Sequence, residues 1–370
     1  MMKKIKAVII GFSHMHVNEV ALYISEREDI ELVAVADVDS GNEQIEGYRY
    51  TQKWNLQNVK EKYCNNVYDS YTAMLDEVKP DIAFILCENS IKPIVVEECA
   101  KRKIDVSIEK PIAVSLVEAL KIKNSVEKYG IKALVNWPVA WRPYIHKFKA
   151  VLDSGIVGKP LKLRYINGHT GPLGVGAKHR GVSDTAEEMT NETRSKTWWH
   201  KQKYGGGVYL DIACYGCFFS NWLMGNDAEY VISLGKNLNT YFGDTDDNFG
   251  AVIEYSDKMS VIEGTWTTPR VVIPSGPMLI CEKGVITCVG GAENAPDVKA
   301  YDMFGNELEV KNVELGAKFK NMPNAYAEYI NNGEEIFDML TLDKNIEVMA
   351  LLDACIKSSN SGKKERVEKV

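Results

Sequence analysis

The sequence predicts an α/β protein, with a doubly wound parallel sheet first and then an α+β domain with a large, mostly antiparallel open sheet. Two observations support this prediction. Up to residue 136, short and continuously apolar runs alternate with helical patterns, as the βα units of a buried parallel sheet do. Beyond residue 137, strand patterns follow one another without helices between them, which is typical of antiparallel sheets.

Length and composition narrow the class of protein. A chain of 370 residues exceeds the size at which one core stops growing, so we expect two domains, 1–136 and 137–370. The contents of 45% apolar and 26% charged residues are those of a soluble globular protein. The net charge of -7 argues against nucleic-acid or anionic-membrane partners, and no apolar run is long enough for a membrane span. Eight scattered cysteines without an export signal predict reduced thiols in the cytoplasm.

The start of the chain has the order of a dinucleotide-binding unit. Ile5–Ile10 is predicted to be a buried strand, Gly11–His16 a turn, and the next helix to run to about Glu26. A second strand, Glu31–Ala36, ends at Asp37, and this succession is typical of dinucleotide binding. The carboxylate of Asp37 would accept a hydrogen bond from a ribose 2′-hydroxyl and repel a 2′-phosphate, which favours NAD over NADP.

The turn departs from the G-x-G-x-x-G fingerprint, because Ser13 and His16 replace the second and third glycines. Serine still lets a pyrophosphate approach the backbone, whereas the third glycine normally permits close helix–strand packing. His14 and His16 form an H-x-H pair, but the sequence shows no third ligand, so no metal is predicted. Cofactor contacts are predicted for all six residues of the turn: Gly11, Phe12, Ser13, His14, Met15 and His16.

The alternation of helices and strands continues to residue 136. Helices are predicted at Tyr71–Val78, Ile94–Arg102 and Ser115–Lys128, and strands at Asp81–Leu86, Ile104–Ile108 and Ile131–Asn136. The carboxyl ends of parallel strands meet at one edge of a sheet, where open α/β folds bind ligands. Residues that follow two of these strands are therefore predicted cofactor contacts: Cys87, Glu88, Asn89, Glu109 and Lys110.

Lys110 is the strongest candidate for chemistry in this part of the chain. It ends the run Val106–Pro111, in which an apolar strand leads into a charged pair and a proline. A compact ammonium at the rim of a cleft can change its pKa and move a proton. The alternative interpretation is a solvated loop lysine before a proline that starts a helix.

The second domain is predicted to contain six strands and three helices. The strands are Pro160–Ile166, Tyr230–Ser233, Asn248–Tyr255, Met259–Trp266, Met278–Cys281 and Gly284–Val289, and the helices Tyr144–Ser154, Tyr326–Asp338 and Lys344–Ser359. Residues 171–194 are predicted to be a polar, mobile loop. Because a broad sheet leaves its outer face uncovered, we expect a homodimer or homotetramer that forms through this sheet.

A glycine triplet at 205–207 precedes a second chemical stretch. Asp211 and Tyr215 are four residues apart, so a helix places them on one face. An acid beside a phenol suits a proton relay or a clamp on a sugar hydroxyl. The alternative is that Asp211 favours the positive end of the helix dipole and Tyr215 packs in a core. Cys214 and Cys217 form a C-x-x-C pair without a second pair at zinc-finger spacing, so we expect packed thiols.

Taken together, these stretches resemble the glucose–fructose oxidoreductase/inositol dehydrogenase (Gfo/Idh/MocA) family over nearly the whole chain. The resemblance rests on the unit ending at Asp37, on Glu109–Pro111, on Gly205–Tyr215, and on the last helix, Asn345–Ser359, with Gly362 after it. It implies a Rossmann NAD-binding domain and a dehydrogenase acting on a sugar, polyol or similar secondary alcohol.

The resemblance also implies roles for single residues. The family's catalytic lysine corresponds to Lys110 and its substrate-positioning aspartate to Asp211. Tyr215 stands where many members have histidine; the branch of glucose–fructose oxidoreductase and dihydrodiol dehydrogenase also has tyrosine there. Lys92 stands where the family often has a histidine in the loop on the nicotinamide side.

The expected reaction is hydride transfer between a hydroxyl-bearing carbon and the nicotinamide, with the protein orienting the substrate and handling the proton. We expect Lys110 to polarise the hydroxyl and lower the pKa of Tyr215, the proton carrier, while Asp211 accepts a substrate hydroxyl. Further substrate contacts are predicted for Trp141, Arg142 and His169. Two alternatives stay open: a glycosidase or lyase that recycles tightly held NAD, and a non-catalytic protein that senses NAD or a sugar.

Overall fold

Two β-sheets organise the computed structural model, which describes residues 4–274, 276–290 and 296–370. The first sheet is parallel and has six strands: β1 Ile5–Ile10, β2 Ile30–Ala36, β3 Val67–Tyr68, β4 Ile82–Ile85, β5 Asp105–Glu109 and β6 Ala133–Asn136. Their order is β3-β2-β1-β4-β5-β6. The strand order thus reverses between β1 and β4, which is where doubly wound sheets open a crevice for ligands.

Helices cover both faces of this sheet. They are α1 Val17–Ser25, α2 Gln52–Lys62, α3 Tyr71–Val78, α4 Lys92–Lys101 and α5 Leu116–Tyr129. The bounds of α1, α3, α4 and α5 agree within two residues with those predicted. Local signals set the ends of α5: the side chain of Ser115 accepts the N–H of Glu118, and Gly130 ends the helix in the left-handed conformation.

The sequence did not predict α2, because this helix has no continuous apolar face. Polar side chains fix it instead. Gln52 Nε2 donates to Asp37 Oδ2 at 2.9 Å, and Asn55 Nδ2 donates to the backbone oxygen of Phe12 at 2.9 Å. The helix therefore holds the turn after β1 from the side.

Within the described ranges the second sheet has nine strands, and it confirms the predicted antiparallel character. They are β7 Pro160–Gly168, β8 Tyr230–Lys236, β9 Asn248–Glu254, β10 Met259–Thr265, β11 Gly276–Cys281, β12 Gly284–Val289, β13 Asp297–Asp302, β14 Glu307–Leu308 and β15 Glu365–Arg366. Their order is β14-β13-β12-β11-β7-β10-β9-β8-β15. β7 and β10 are parallel neighbours, whereas the other neighbouring pairs are antiparallel. The carboxyl ends of β7 and β10 therefore meet at one edge.

The described part of the chain beyond residue 137 contains five α-helices: α6 Pro143–Asp153, α7 Asn191–Lys196, α8 Cys214–Met224, α9 Met322–Asn332 and α10 Leu342–Ser361. A π-helical turn, Tyr209–Ala213, precedes α8. Short 3₁₀ turns lie at Pro138–Trp141, Trp198–His200, Gln202–Tyr204, Arg270–Val272, Ala317–Phe319 and Asp338–Leu340. Among the described residues, no helix has the length and apolar character needed to cross a membrane.

The predicted helix Tyr326–Asp338 was wrong in its bounds. The helix starts at Met322, where the side chain of Asn321 caps it, and ends at Asn332. Gly333 then takes a φ of 68°, a left-handed conformation that commonly terminates helices. Asp338 lies in the separate 3₁₀ turn that follows.

Helix α10 joins the two sheets. Its Asn345 accepts a 2.7 Å hydrogen bond from the indole of Trp137, just after β6, and Asp353 accepts the backbone N–H of Leu116 at 3.3 Å. At its other end, Ser358 Oγ accepts the N–H of Ser233 in β8 at 2.9 Å. One long helix therefore fixes the edge of the first sheet against the second.

The segment 171–204 packs against the connection between β2 and α2. Residues 171–190 form a loop, as predicted, and the mobility of this loop stays a prediction. The Tyr50 hydroxyl donates to the backbone oxygen of Asp184 at 2.9 Å, and Glu187 accepts the N–H of Arg49 at 3.0 Å. A satellite apolar cluster lies underneath: Met15, Tyr50, Leu173, Val182, Ala186, Met189, Trp198, Trp199 and Tyr204. Scattered apolar residues among polar ones gave no periodic signal for this packing.

Candidate active site

The turn after β1 lies at the point where the strand order reverses. Gly11 has a φ of 84°, and a Cβ there would lie 2.6 Å from the Cβ of Cys87 on the neighbouring β4 connection, so only glycine fits. The N–H of His14 donates to the backbone oxygen of Leu86 at 3.0 Å. The loops after β1 and β4 therefore pack directly against each other.

The replaced glycines cause no clash. Ser13 is 4% exposed, and its backbone oxygen accepts a 3.0 Å hydrogen bond from the indole of Trp198. The ring of His16 lies against Glu109, with Nδ1 3.1 Å from Oε1, instead of between helix and strand.

Asp37 lies beside this turn at the end of β2. Its Oδ1 accepts the N–H groups of Phe12 at 3.2 Å and Val38 at 2.8 Å, and Oδ2 accepts Gln52 Nε2 at 2.9 Å. Burial raises the pKa of Asp37 to about 6, although these hydrogen bonds act in the opposite direction. The carboxylate is thus ionised at neutral pH and turned toward the turn after β1.

Lys110 reaches across from the first sheet to the π-helical turn. It is 3% exposed, and Nζ donates to the backbone oxygen of Asp211 at 2.9 Å and to Asp211 Oδ1 at 3.1 Å. The same Nζ lies 4.6 Å from the centre of the Tyr215 ring. Burial alone would lower the pKa of Lys110, but the acidic groups that face it, the Tyr215 phenol and the Asp211 carboxylate, raise it above its usual value. Lys110 is therefore a cation.

Asp211 is held by donors from three directions. Besides Lys110 on Oδ1, its Oδ2 accepts the Trp266 indole at 3.0 Å and lies 3.2 Å from His169 Nε2. His169 follows β7 and Trp266 follows β10, and the parallel pairing of these strands brings the two rings together. Burial favours the neutral acid, but Lys110 and His169 outweigh it and hold the pKa of Asp211 well below its usual range.

The π-helical turn around Asp211 replaces the regular helix that was predicted there. Such turns recur at functional sites, since they change the direction of side chains within a helix. Here Asp211 and Tyr215 both contact Lys110. Burial raises the pKa of Tyr215 more than Lys110 lowers it, so the expected net lowering of this pKa was wrong, and the group is a neutral phenol at neutral pH.

Lys92 fixes the loop that presents Lys110. It is fully buried, and Nζ donates to Asn89 Oδ1 at 2.6 Å and to the backbone oxygens of Glu109 and Pro111 at 2.7 Å each. Burial lowers the pKa of Lys92 to about 8. The sequence singled out Lys92 only as a departure from the family pattern, whereas the structure shows a residue that positions Lys110.

The glycine triplet at 205–207 approaches the first sheet. Asn89 Nδ2 donates to the Gly205 oxygen at 2.8 Å, and a Cβ on Gly205 would lie 2.7 Å from the Cβ of Asn89. Cys87 is buried beside Gly11, and Glu88 accepts the Ser40 hydroxyl at 2.7 Å. The predicted cofactor contacts at the end of β4 therefore lie between the turn after β1 and the glycine triplet.

Two predicted substrate contacts, Trp141 and Arg142, lie between β6 and α6. The Trp141 indole donates to Asn136 Oδ1 at 3.2 Å, and Asn136 in turn donates to Glu109 Oε2 at 2.9 Å. Arg142 is exposed and directly precedes α6. Sequence analysis missed Trp198, Trp199 and Trp266, although the Trp198–Trp199–His200 run was a visible signal.

Comparisons with known proteins agree with this architecture. Two family models match, "Oxidoreductase family, NAD-binding Rossmann fold" over residues 5–137 and "GFO/IDH/MocA C-terminal domain" over residues 145–287. Among solved structures, a putative oxidoreductase from Thermotoga maritima aligns with a TM-score of 0.75 at 18% identity, covering 98% of this chain and 100% of that one. The WlbA dehydrogenase from Chromobacterium violaceum, solved with NADH and UDP-GlcNAcA, aligns with a TM-score of 0.74 at 15% identity and covers 100% and 97% of the two chains.

Curated relatives are distant in sequence. The oxidoreductase YrbE of Bacillus subtilis is 22% identical over 50% of this chain and 48% of its own length. The scyllo-inositol 2-dehydrogenase of the same species is 22% identical over 56% and 54%. These matches thus span about half the length of each relative. The 2,7-anhydro-N-acetylneuraminate hydratase of Mediterraneibacter gnavus is 21% identical over 100% of this chain and 98% of its own. The chain belongs to the Gfo/Idh/MocA family of NAD-dependent oxidoreductases.

Proposed function

We propose that this chain transfers hydride between NAD and a hydroxyl-bearing carbon of a sugar, polyol or sugar derivative. One observation carries the proposal: the ammonium of Lys110 contacts both the carboxylate of Asp211 and the ring of Tyr215. A cation, an anion and a phenol thus meet at the sheet edge where doubly wound folds bind ligands. The relative scyllo-inositol 2-dehydrogenase is named for a substrate of this class.

The first sheet offers the groups that would hold NAD, which when bound supplies the acceptor or donor of the hydride. Among the described residues, Oδ2 of the Asp37 carboxylate accepts only the Gln52 amide and has further acceptor capacity, which suits a ribose hydroxyl, and the negative charge disfavours a 2′-phosphate. The turn Gly11–His16 begins helix α1, and such turns bind phosphates through backbone N–H groups. The residues present therefore fit NAD.

The cation, the phenol and the carboxylate divide the handling of the substrate. The cationic Lys110 donates a hydrogen bond to the reacting oxygen and stabilises the negative charge that develops there. Tyr215, a neutral phenol, gives its proton to that oxygen during reduction and is left as a phenolate. For oxidation the phenol first loses its proton to water, and the phenolate then takes the proton of the substrate hydroxyl. Asp211 keeps Lys110 charged and accepts a neighbouring substrate hydroxyl.

A panel of sugars, inositols and sugar acids, each mixed with the protein and NAD⁺, tests the proposal. We expect reduced nicotinamide to appear with at least one of them, and substrates deuterated at the reacting carbon to pass deuterium to the nicotinamide. No reduction with any member of the panel, and no oxidation of NADH by the matching ketones, would contradict net dehydrogenation.

A second candidate is a hydratase, lyase or glycosidase that oxidises a sugar carbon and later reduces it, so that NAD is recycled. Two observations favour it. The relative that matches over the whole chain is named a hydratase. In addition, the segment 171–204 covers the turn after β1, where His14 is 2% exposed and the Trp198 indole bonds to Ser13, so this cover would slow cofactor exchange.

Retention of the nucleotide distinguishes the two candidates. If NAD is recycled, protein purified without added nucleotide contains about one NAD per chain by mass spectrometry of the denatured extract. It also converts substrate without added NAD. The Trp198→Ala variant should lose this NAD during gel filtration. Trp222→Ala is the control: Trp222 lies in α8, outside the segment 171–204, so this variant should keep the NAD. Wild-type protein that is free of nucleotide and needs added NAD for every turnover would rule out recycling.

The raised pKa of Asp37 predicts a pH dependence of NAD affinity. Above a pH of about 6 the group is ionised and accepts ribose hydroxyls; below that value it is protonated and loses acceptor capacity. The affinity for NAD should therefore fall by up to about tenfold per pH unit below that point, while Asp37→Asn should bind weakly with a flat profile. Calorimetric titrations across this range measure both, and identical profiles for the two proteins would refute the role of Asp37.

We also propose that the chain forms a homodimer or homotetramer through the open face of the second sheet. Apolar side chains lie on this face, with Ile232 57%, Leu234 60% and Val252 41% exposed. In the register, Ile232 pairs with Val252, so the two form one continuous patch. Light scattering should give a mass of two or four chains for the wild type and of one for Ile232→Glu/Val252→Glu; a monomeric wild type would refute this assembly.

A further inference from the structure

A group of three ligating side chains lies beside Lys110, and we propose that it binds one divalent transition metal ion. His14 and His16 come from the turn after β1, and Glu109 is the last residue of β5. One ligand atom from each residue lies within 4.8 Å of the other two. Bonds of about 2.0–2.2 Å to one ion bring such atoms somewhat closer, so small side-chain rotations complete the site.

The sequence showed the H-x-H pair without a third ligand, and the fold supplies it. The strand order places β1, β4 and β5 side by side, so the turn after β1 and the end of β5 meet although about ninety residues separate them in the chain. His16 Nδ1 faces Glu109 Oε1 at 3.1 Å, and the centres of the two histidine rings are 4.3 Å apart. The three side chains therefore form one compact group.

Neighbouring residues already orient the ligands. Asn136 Nδ2 donates to Glu109 Oε2 at 2.9 Å, which leaves Oε1 directed at the histidines. His14 packs edge-on against Trp199 at 5.1 Å, and Glu109 is fully buried. Metal sites characteristically have such outer contacts, which fix the direction of each ligand before the ion binds.

The donor set indicates the class of ion. Two imidazoles and one carboxylate bind Zn²⁺ in hydrolytic enzymes and Fe²⁺ in oxygenases, whereas Mg²⁺ and Ca²⁺ prefer oxygen ligands throughout. Three protein ligands leave a fourth position for water or a substrate oxygen. The charge of the nearby Lys110 is paired with the carboxylate of Asp211.

An ion pair is the alternative explanation of this group. A charged His16 beside Glu109 would account for their 3.1 Å contact. His14 Nδ1 accepts the backbone N–H of His16 at 3.2 Å, a hydrogen bond that His14 gives up when one of its ring nitrogens binds the ion. NAD binding does not require these side chains, because backbone N–H groups bind the phosphates at such turns. The metal proposal is thus independent of the proposed hydride transfer.

Metal binding by the purified full-length protein tests the proposal. After treatment with a chelator, calorimetric titration with Zn²⁺ should show one site per chain. Titration with Co²⁺ should produce the visible absorption bands of a tetrahedral or five-coordinate ion. His14→Ala and Glu109→Gln should each weaken binding by at least about 100-fold, more than the loss seen for outer contacts. Circular dichroism checks that both variants fold.

His179→Ala is the matched control. The ring of His179 lies 5.5 Å from that of His16 but outside the group of three, so this variant should keep the site and the Co²⁺ spectrum. The proposal is overturned if the wild type binds no Zn²⁺, or if His14→Ala and Glu109→Gln bind it as tightly as the wild type. Because every readout is binding, a missing dehydrogenase activity would leave the result unaffected.

Discussion

Replacing Lys110 by methionine is expected to lower kcat by about 10²–10⁴-fold, the range typical of groups that assist proton transfer. Methionine keeps the length of the side chain but removes the charge that faces the substrate oxygen. KM should change much less, because the charge matters most when the oxygen becomes negative. Steady-state kinetics with the best substrate of the panel measure both constants.

Lys121→Met is the control for this prediction. Lys121 lies on the surface, with a side chain 61% exposed, and its replacement should leave kcat unchanged. A Lys110→Met enzyme that turns over at the wild-type rate would show that the ammonium is not needed, and the mechanism would have to be abandoned.

Asp211→Ala is expected to destabilise the fold by about 3–5 kcal/mol, the typical cost of removing one partner of a buried ion pair. The change leaves the cationic Lys110, only 3% exposed, without its carboxylate, and it also removes the acceptor of Trp266. Urea unfolding measures the free energy. Asp153→Ala, which breaks an exposed pair with Lys149, should change stability by less than about 1 kcal/mol.

The stability that Asp211→Ala loses depends on pH, and the direction of this dependence follows from the pKa of Asp211. Since Lys110 and His169 hold the pKa of Asp211 below its unfolded value, the stabilisation is present above an ordinary aspartate pKa of about 3.9. It is lost as the pH falls through the lower, folded value. The difference between wild type and Asp211→Ala should therefore shrink on acidification; a difference that grows would contradict the assigned ion pair.

Local patterns were sufficient to predict the fold class and most elements. Apolar runs such as Ile5–Ile10 form strands because a parallel sheet buries both of their faces. Lys110 stood out because it follows a predicted strand at the ligand-binding edge of the sheet. Asp211 and Tyr215 stood out because they lie on one face of the helix predicted after the glycine triplet. The sequence alone could not show that Lys110 contacts the other two residues, because the fold brings residues 110 and 211 together across the two sheets.

Other features depended on contacts that no local pattern encodes. Helix α2 is held by Gln52 and Asn55 and not by an apolar face. The pKa of Tyr215 is raised because the effect of burial is larger than the opposing effect of the Lys110 cation. Glu109 joins His14 and His16 only because β5 lies two strands from β1. Each of these follows from tertiary packing.

A single-turnover experiment tests the central claim most directly, since net dehydrogenation and NAD recycling both begin with the same hydride transfer. Protein loaded with stoichiometric NAD⁺ is mixed rapidly with substrate, and the absorbance of reduced nicotinamide is followed. The account predicts a rise in this absorbance, transient if NAD is recycled, and its absence in Lys110→Met. Product formation by the wild type without any reduced nicotinamide, or an equal rise in both proteins, would contradict it.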